Sequence, residues 1–172
     1  MAFPSIVFCS EGENRSLMNQ RTIEISHMVM DDIEEVLSIE NSSFLLPWSR
    51  DVFLREFQIP ISRILVAKIQ KDRDTEIAGY VIYWIMAGEV QIHKIAVRED
   101  IRKSGIASLI MAEMLRLSRE EGALLCTLEV GQANENAKKL YEKFGFVVTA
   151  VRKNYYRESG DDALTMCLDL KS

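Results

Sequence analysis

Two places in the sequence carry residue types that can do chemistry. The first is the run Ile95-Ala96-Val97, Arg98-Glu99-Asp100-Ile101, Arg102-Lys103-Ser104-Gly105-Ile106-Ala107-Ser108, which reads as a strand end, a charged turn and a helix opening on Ser-Gly. Gly105 falls in the first helical turn, where a missing Cβ lets a ligand approach the backbone. The N–H groups of that turn lack intrahelical acceptors and form an anion site that suits a pyrophosphate. A plainer reading leaves Ser104 as an N-cap, Gly105 as a turn residue and Arg102-Lys103 as a solvated charge pair. The second place is Glu129, a lone carboxylate within the apolar run 123–130, near the strand end at which α/β sheets place ligands. An uncompensated buried charge is costly. Either that strand end opens into a cleft, or Glu129 is held with a raised pKa and can serve as a general base.

These residues need elements to position them. Ile106, Leu109, Ile110, Met114 and Leu117 recur at helical spacing, with Glu113, Arg116, Arg119 and Glu120 on the other face, predicting an amphipathic helix to about Glu121. Residues 123–130 follow as an interior strand. Asn134 then caps a helix on which Ala137, Leu140, Tyr141 and Phe144 share a face, and Gly145 stops it. By pattern alone Tyr141 is a core residue with a satisfied hydroxyl.

Upstream, residues 22–28 alternate as a first strand, and Asp31-Asp32 open a helix whose Ile33, Val36, Leu37, Ile39 and Glu40 form the buried stripe. A break at 44–49 leads to a second helix with Ser49 as N-cap and Pro60 beyond its end. Trp48 beside Pro47 is either ordinary packing or an aromatic wall for a substrate. Strands at 63–70, 76–86 and 89–97 form a meander, with a charged turn at 71–74 and Gly88 as the second turn. The last strands are 146–151 and 163–170, joined by 152–162. The order β-α-α-β-β-β-α-β-α-β-β predicts a mixed α/β (α+β) domain of about seven strands, helices on both faces and a parallel central crossover. Residues 1–20 read as a flexible extension, with Met18 an alternative start, and 21–172 as the domain.

Composition narrows the class. A chain of 172 residues buries about 70% of its unfolded surface and needs no staples. Cys9, Cys126 and Cys167 are far apart and form no CxxC, as expected of reduced thiols in a cytoplasmic protein. With only His27 and His93 present, no histidine-based metal site is expected. A net charge of −5 argues against direct nucleic-acid binding and accords with a basic substrate. No stretch approaches the ~20 apolar residues of a membrane span, and no secretory leader pattern opens the sequence.

The absence of GxxxxGKS, GxxxxGKT or a GxGxxG after a strand excludes the Walker and dinucleotide loops. What remains, Arg102-x-x-Gly105-x-Ala107, resembles the acetyl-CoA pyrophosphate loop of the GNAT acyltransferase superfamily. Leu128-Glu129-Val130, Asn134, Ala137 and the run from Leu140-Tyr141 to Gly145-Phe146 match the later motifs of that superfamily in order and spacing. Pro47-Trp48-Ser49, Asn154-Tyr155-Tyr156 and Asp162-Ala163 extend the match to its RimI type, the ribosomal-protein alanine N-acetyltransferases, over residues 21–170. The resemblance implies that Ile95, Ala96 and Val97 line the acetyl-pantetheine, that Arg102, Lys103, Ser104, Gly105, Ile106, Ala107 and Ser108 cradle the pyrophosphate, and that Asn134 contacts acetyl-CoA, the co-substrate. It implies Glu129 as general base, Tyr141 as the acid that protonates the departing thiolate, no metal, and Trp48, Tyr155 and Tyr156 on the acceptor side. The implied reaction is acetylation of the N-terminal α-amine of a basic ribosomal protein. The alternatives are a lysine or small-molecule amine as acceptor, or a module that binds acyl-CoA without turnover. Lys94, where the family often has Asn, and Arg157, where Pro is usual, depart from the pattern.

Overall fold

Strand-forming runs of Val, Ile, Tyr and Trp build one sheet, and two pairs of helices cover its faces. The computed structural model describes residues 6–9, 22–71, 74–156 and 160–171, with 6–9, 71 and 156 described by their backbone. The elements are β1 (Ile6–Cys9), β2 (Thr22–His27), α1 (Ile33–Ser43), α2 (Arg50–Glu56), β3 (Ser62–Lys71), β4 (Asp74–Met86), β5 (Glu89–Val97), α3 (Ile106–Glu120), β6 (Leu125–Gly131), α4 (Glu135–Lys143), β7 (Val147–Tyr156) and β8 (Asp161–Asp169). Short 3-10 turns, Met30–Asp32 and Glu99–Ile101, lead toward α1 and α3. The spatial order is β1-β2-β3-β4-β5-β6-β8-β7, with β5 and β6 parallel and the other neighbours antiparallel.

Among the described residues the sheet has eight strands, where the periodicity indicates about seven. The addition is β1, drawn from the segment expected to be irregular, whose Ile6 and Cys9 pair with Ile25 and Thr22. Met18 and the rest of that extension lie outside the described residues, as do Asp72 and Arg73 of the charged turn and Arg157. A second correction concerns the 152–162 link. Register shifts at Val148/Ala150 and Arg152/Tyr156 carry β7 to Tyr156, so Arg152, Asn154 and Tyr155 belong to a strand.

Both faces of β4 are covered, which explains its continuous apolar run. Val81 and Tyr83 join Ile106, Ile110, Met111 and Met114 of α3 and Tyr141 of α4 in one core. Tyr80 and Ile82 join Ile33, Val36 and Ile39 of α1 and Phe53 of α2 in the other. Glu113, expected on the solvent face of α3, is 3% exposed. Its two oxygens accept from Arg116 Nη2 at 2.7 Å and Nε at 2.9 Å, and this bidentate pairing compensates the buried charge. Gly79 is required by a close approach, since a Cβ there would lie 2.6 Å from Ala96 O on β5. Among the described residues no helix is long and apolar enough to cross a membrane.

Candidate active site

The site begins where two parallel strands part. The β5–β6 register runs from Glu89↔Leu125 to Ile92↔Leu128 and ends there, although β5 continues to Val97 and β6 to Gly131. On its other edge β5 stays paired to β4 through Val81↔Ile95, Tyr80↔Ala96 and Gly79↔Val97. The edge of Ile95, Ala96 and Val97 that faces away from β4 therefore borders an opening between parallel strands, where α/β sheets take ligands. Glu129 lies immediately past the last pair, on the opposite wall.

The loop after β5 is tied at several points and leaves open space in front of α3. Arg102 donates from Nε to Val97 O at 3.1 Å and from Nη2 to Ser43 Oγ at 3.1 Å, tying the loop to β5 and to the end of α1. Ser104 Oγ donates to Ile101 O at 2.6 Å, so its hydroxyl closes the loop and the N-cap of α3 is Gly105. Lys103 and Gly105 both adopt positive φ, at 65° and 90°. A Cβ built on Gly105 meets nothing within 4 Å, so the space in front of the α3 N-terminus is open. Residues 102–105 are exposed and Ile106 anchors the helix in the core, with Ala107 and Ser108 completing the first turn. Lys143 Nζ, from the last turn of α4, donates to Ser108 Oγ at 3.2 Å and brings a second cation to that end of α3. Open N–H groups, a positive helix end and flanking cations fit a pyrophosphate.

Glu129 is neither a plain exposed strand end nor a carboxyl in an apolar pocket. It is partly exposed, and Arg152 of β7 donates from Nη1 to its Oε1. The Arg152 guanidinium also sits over the Tyr155 ring, 5.1 Å from the centroid. The Tyr155 hydroxyl is pushed above its ordinary pKa, chiefly by its hydrogen bond to Glu129, then by burial. Carboxylate, guanidinium and phenol form one cluster on the β6 side of the opening. Sequence pattern places Arg152 in a link; the pairing of β7 with β8 brings it to Glu129. The Tyr156 side chain lies outside the described residues.

Tyr141 is 6% exposed and packs against Phe146 with ring centroids 5.8 Å apart. Its helix is fixed at the other end by Asn134, whose Oδ1 accepts the Ala137 N–H at 3.2 Å in the expected N-cap. On the β5 side Trp48 is half-buried, edge-on to Phe53 at 6.0 Å and tilted against His93 at 6.5 Å. Trp48 and Tyr155 thus flank the two parting strands. Among the described residues no group of three His, Cys, Asp or Glu could hold a metal ion.

Known proteins of similar sequence and fold bear on the family. Residues 33–146 match the acetyltransferase (GNAT) family. A putative ribosomal protein bS18-alanine N-acetyltransferase of Bacillus subtilis is 36% identical over 143 residues, covering 83% of this chain and 92% of the relative. The crystal structure of the ribosomal-protein-S18-alanine N-acetyltransferase from Escherichia coli superposes with a TM-score of 0.78 at 24% identity, covering 87% of this chain and 95% of that one. Arabidopsis thaliana NAA60, in complex with acetyl-CoA, superposes with a TM-score of 0.79 at 18% identity over 87% and 99% of the two chains. At these identities the two structures speak to the fold, and the sequence match speaks to the family. The chain belongs to the GNAT acetyltransferase family.

Proposed function

We propose that this acetyltransferase moves an acetyl group from acetyl-CoA to the N-terminal α-amine of a ribosomal protein, an alanine amine, in the cytoplasm. The observation that carries the reading is the placement of Glu129 just past the point where β5 and β6 part, facing the edge of Ile95, Ala96 and Val97. The acceptor identity rests on the 36% identity to the Bacillus subtilis relative. Acetyl-CoA supplies the acyl thioester. The α3 N-terminus, Arg102, Lys103 and the Gly105 opening hold its pyrophosphate, and Asn134 adds a contact from the α4 cap. Glu129 takes the proton of the attacking amine, directly or through water, and Tyr141 gives a proton to the departing thiolate. Trp48 and Tyr155, with Tyr156, border the acceptor peptide.

An α-amine is the easier nucleophile for a single carboxylate base. With a reference pKa near 7.8, about 14% of it is neutral at pH 7, against about 0.04% of a lysine near 10.4. Incubation with acetyl-CoA and an alanine-initiated basic peptide tests the proposal. Fragment masses are expected to place the acetyl group on residue 1, and acetylation elsewhere on the peptide contradicts it.

A further inference from the structure

A buried ionic cluster on the α1–α2 face plays no part in the chemistry above. The β4–β5 register pairs Tyr83 with Ile92 and Ile82 with Lys94, so His93 is the extra residue of a bulge. A bulge re-aims side chains. Here it turns both His93 and Lys94 toward α1 and α2: His93 lies between Trp84, at 4.4 Å, and Trp48, and Lys94 reaches the carboxylate of Glu40. Glu40, at the C-terminal end of α1, is 0% exposed. Its Oε1 accepts from Lys94 Nζ and from the Trp48 N–H, the latter at 2.6 Å, and its Oε2 accepts from the Tyr80 hydroxyl. The ammonium of Lys94 also lies over the Phe44 ring at 3.9 Å and the Trp48 ring at 5.1 Å.

One carboxylate and one ammonium thereby bind three elements: the end of α1, the connection 44–48, and β5 directly before Ile95. The connection needs such a tie, because its Leu45 and Leu46 are 79% and 62% exposed and contribute little packing of their own. Arg102 makes a parallel tie from the pyrophosphate loop to Ser43. A buried pair of this kind adds little net stability, because desolvation offsets attraction, while loss of one partner is costly. In some proteins such a buried group fixes one arrangement among several.

We propose that Lys94 and Glu40 are positioning residues that fix the 44–48 connection against β5 and so set the acceptor wall made by Trp48. The consequence for the acceptor rests on the N-terminal acetyltransferase reading; the tie itself does not. Lys94→Met is expected to raise the KM for an alanine-initiated basic peptide about tenfold or more, with the acetyl-CoA Kd changed less than about twofold. Lys94→Arg, which keeps a cation, is expected to restore the peptide KM to within about threefold of the parent. Where Glu40 left without its partner prevents Lys94→Met from folding, the Lys94→Met, Glu40→Gln pair removes both charges and is measured instead, with the same split expected. An unchanged peptide KM in the folded variant, or equal changes in peptide KM and acetyl-CoA Kd, overturns the proposal. Amide hydrogen exchange supplies an arm that needs no acceptor. The Trp48 amide is expected to exchange faster in the variant while α3 amides keep their protection, and unaltered Trp48 exchange removes the tie. If the parent acetylates no α-amine, the acceptor reading fails while the exchange result still decides whether Lys94 holds the connection.

Discussion

Arg152 Nη1 donates to Glu129 Oε1 across β8, joining residues 23 apart in sequence, and the same guanidinium covers the Tyr155 ring. The carboxylate proposed as base is thus held by a cation and a phenol from one neighbouring strand. Under the proposed reaction an acceptor amine approaching Glu129 would enter this cluster. Glu129→Gln keeps the side-chain shape and removes the basicity. The expected result is a loss of kcat of roughly 10²-fold or more and a changed acidic limb of the pH–rate curve. An unchanged curve leaves Glu129 with a structural role as the partner of Arg152.

Tyr141→Phe separates acid catalysis from packing. The tilted ring contact with Phe146 survives the change, so the core is expected to stay intact. Loss of a general acid lowers kcat by roughly 10²–10⁴-fold with little effect on the acetyl-CoA Kd. Retained kcat with a lowered Tm identifies the hydroxyl as a structural group.

Gly105→Val tests the anion site. A side chain at φ 90° is strained and projects into the space that is open in the parent. Acetyl-CoA affinity measured by calorimetry is expected to fall about tenfold or more, equivalent to about 1.4 kcal/mol. Unaltered affinity removes the loop from the account of binding.

Burial holds the imidazoles of His27 and His93 below the ordinary value of 6.5; Arg63 reinforces this at His27, and Glu56 opposes it at His93. Between the lowered pKa and 6.5 the unfolded chain binds more protons than the folded one, so stability rises with pH across that window. It is lost as pH falls from 6.5 through the folded values. Urea midpoints are therefore expected to be lower at about pH 5.5 than at about pH 7.5, and the gap should narrow in a His27→Gln, His93→Phe variant. An equal gap in parent and variant assigns the pH dependence to other groups.

Local pattern made much of this molecule legible before any contact was known. The stripe from Ile106 to Leu117, the Asn134 cap and the interior strand expected over 123–130, which is β6, each depend on neighbours close in sequence, where period and capping chemistry suffice. Glu129 stood out because a carboxylate interrupts an apolar run. The sites of charge compensation were not legible. Glu40 is neutralised by Lys94, 54 residues away, and Glu129 by Arg152, and neither pairing follows from spacing. Glu113, expected on the solvent face, falls at helical spacing between Ile106 and Leu117 on the buried stripe, and what spacing does not show is the Arg116 pairing that compensates its charge. Strand β1 escaped because four residues in a polar segment become a strand only beside the β2 edge that pairs them. Lys143 reaches the N-terminal end of α3 through a contact with Ser108 that periodicity does not encode.

The central claim, an α-amine acceptor, is tested most directly by competition. A mixture of alanine-initiated basic peptides, N-blocked lysine peptides and polyamines is incubated with acetyl-CoA and the protein, and the products are read by mass spectrometry. The account predicts acetyl groups predominantly on the alanine α-amines. Preferential acetylation of the blocked lysine peptides or the polyamines would contradict it, and no acetylation above the control would place the protein among acyl-CoA binders without turnover.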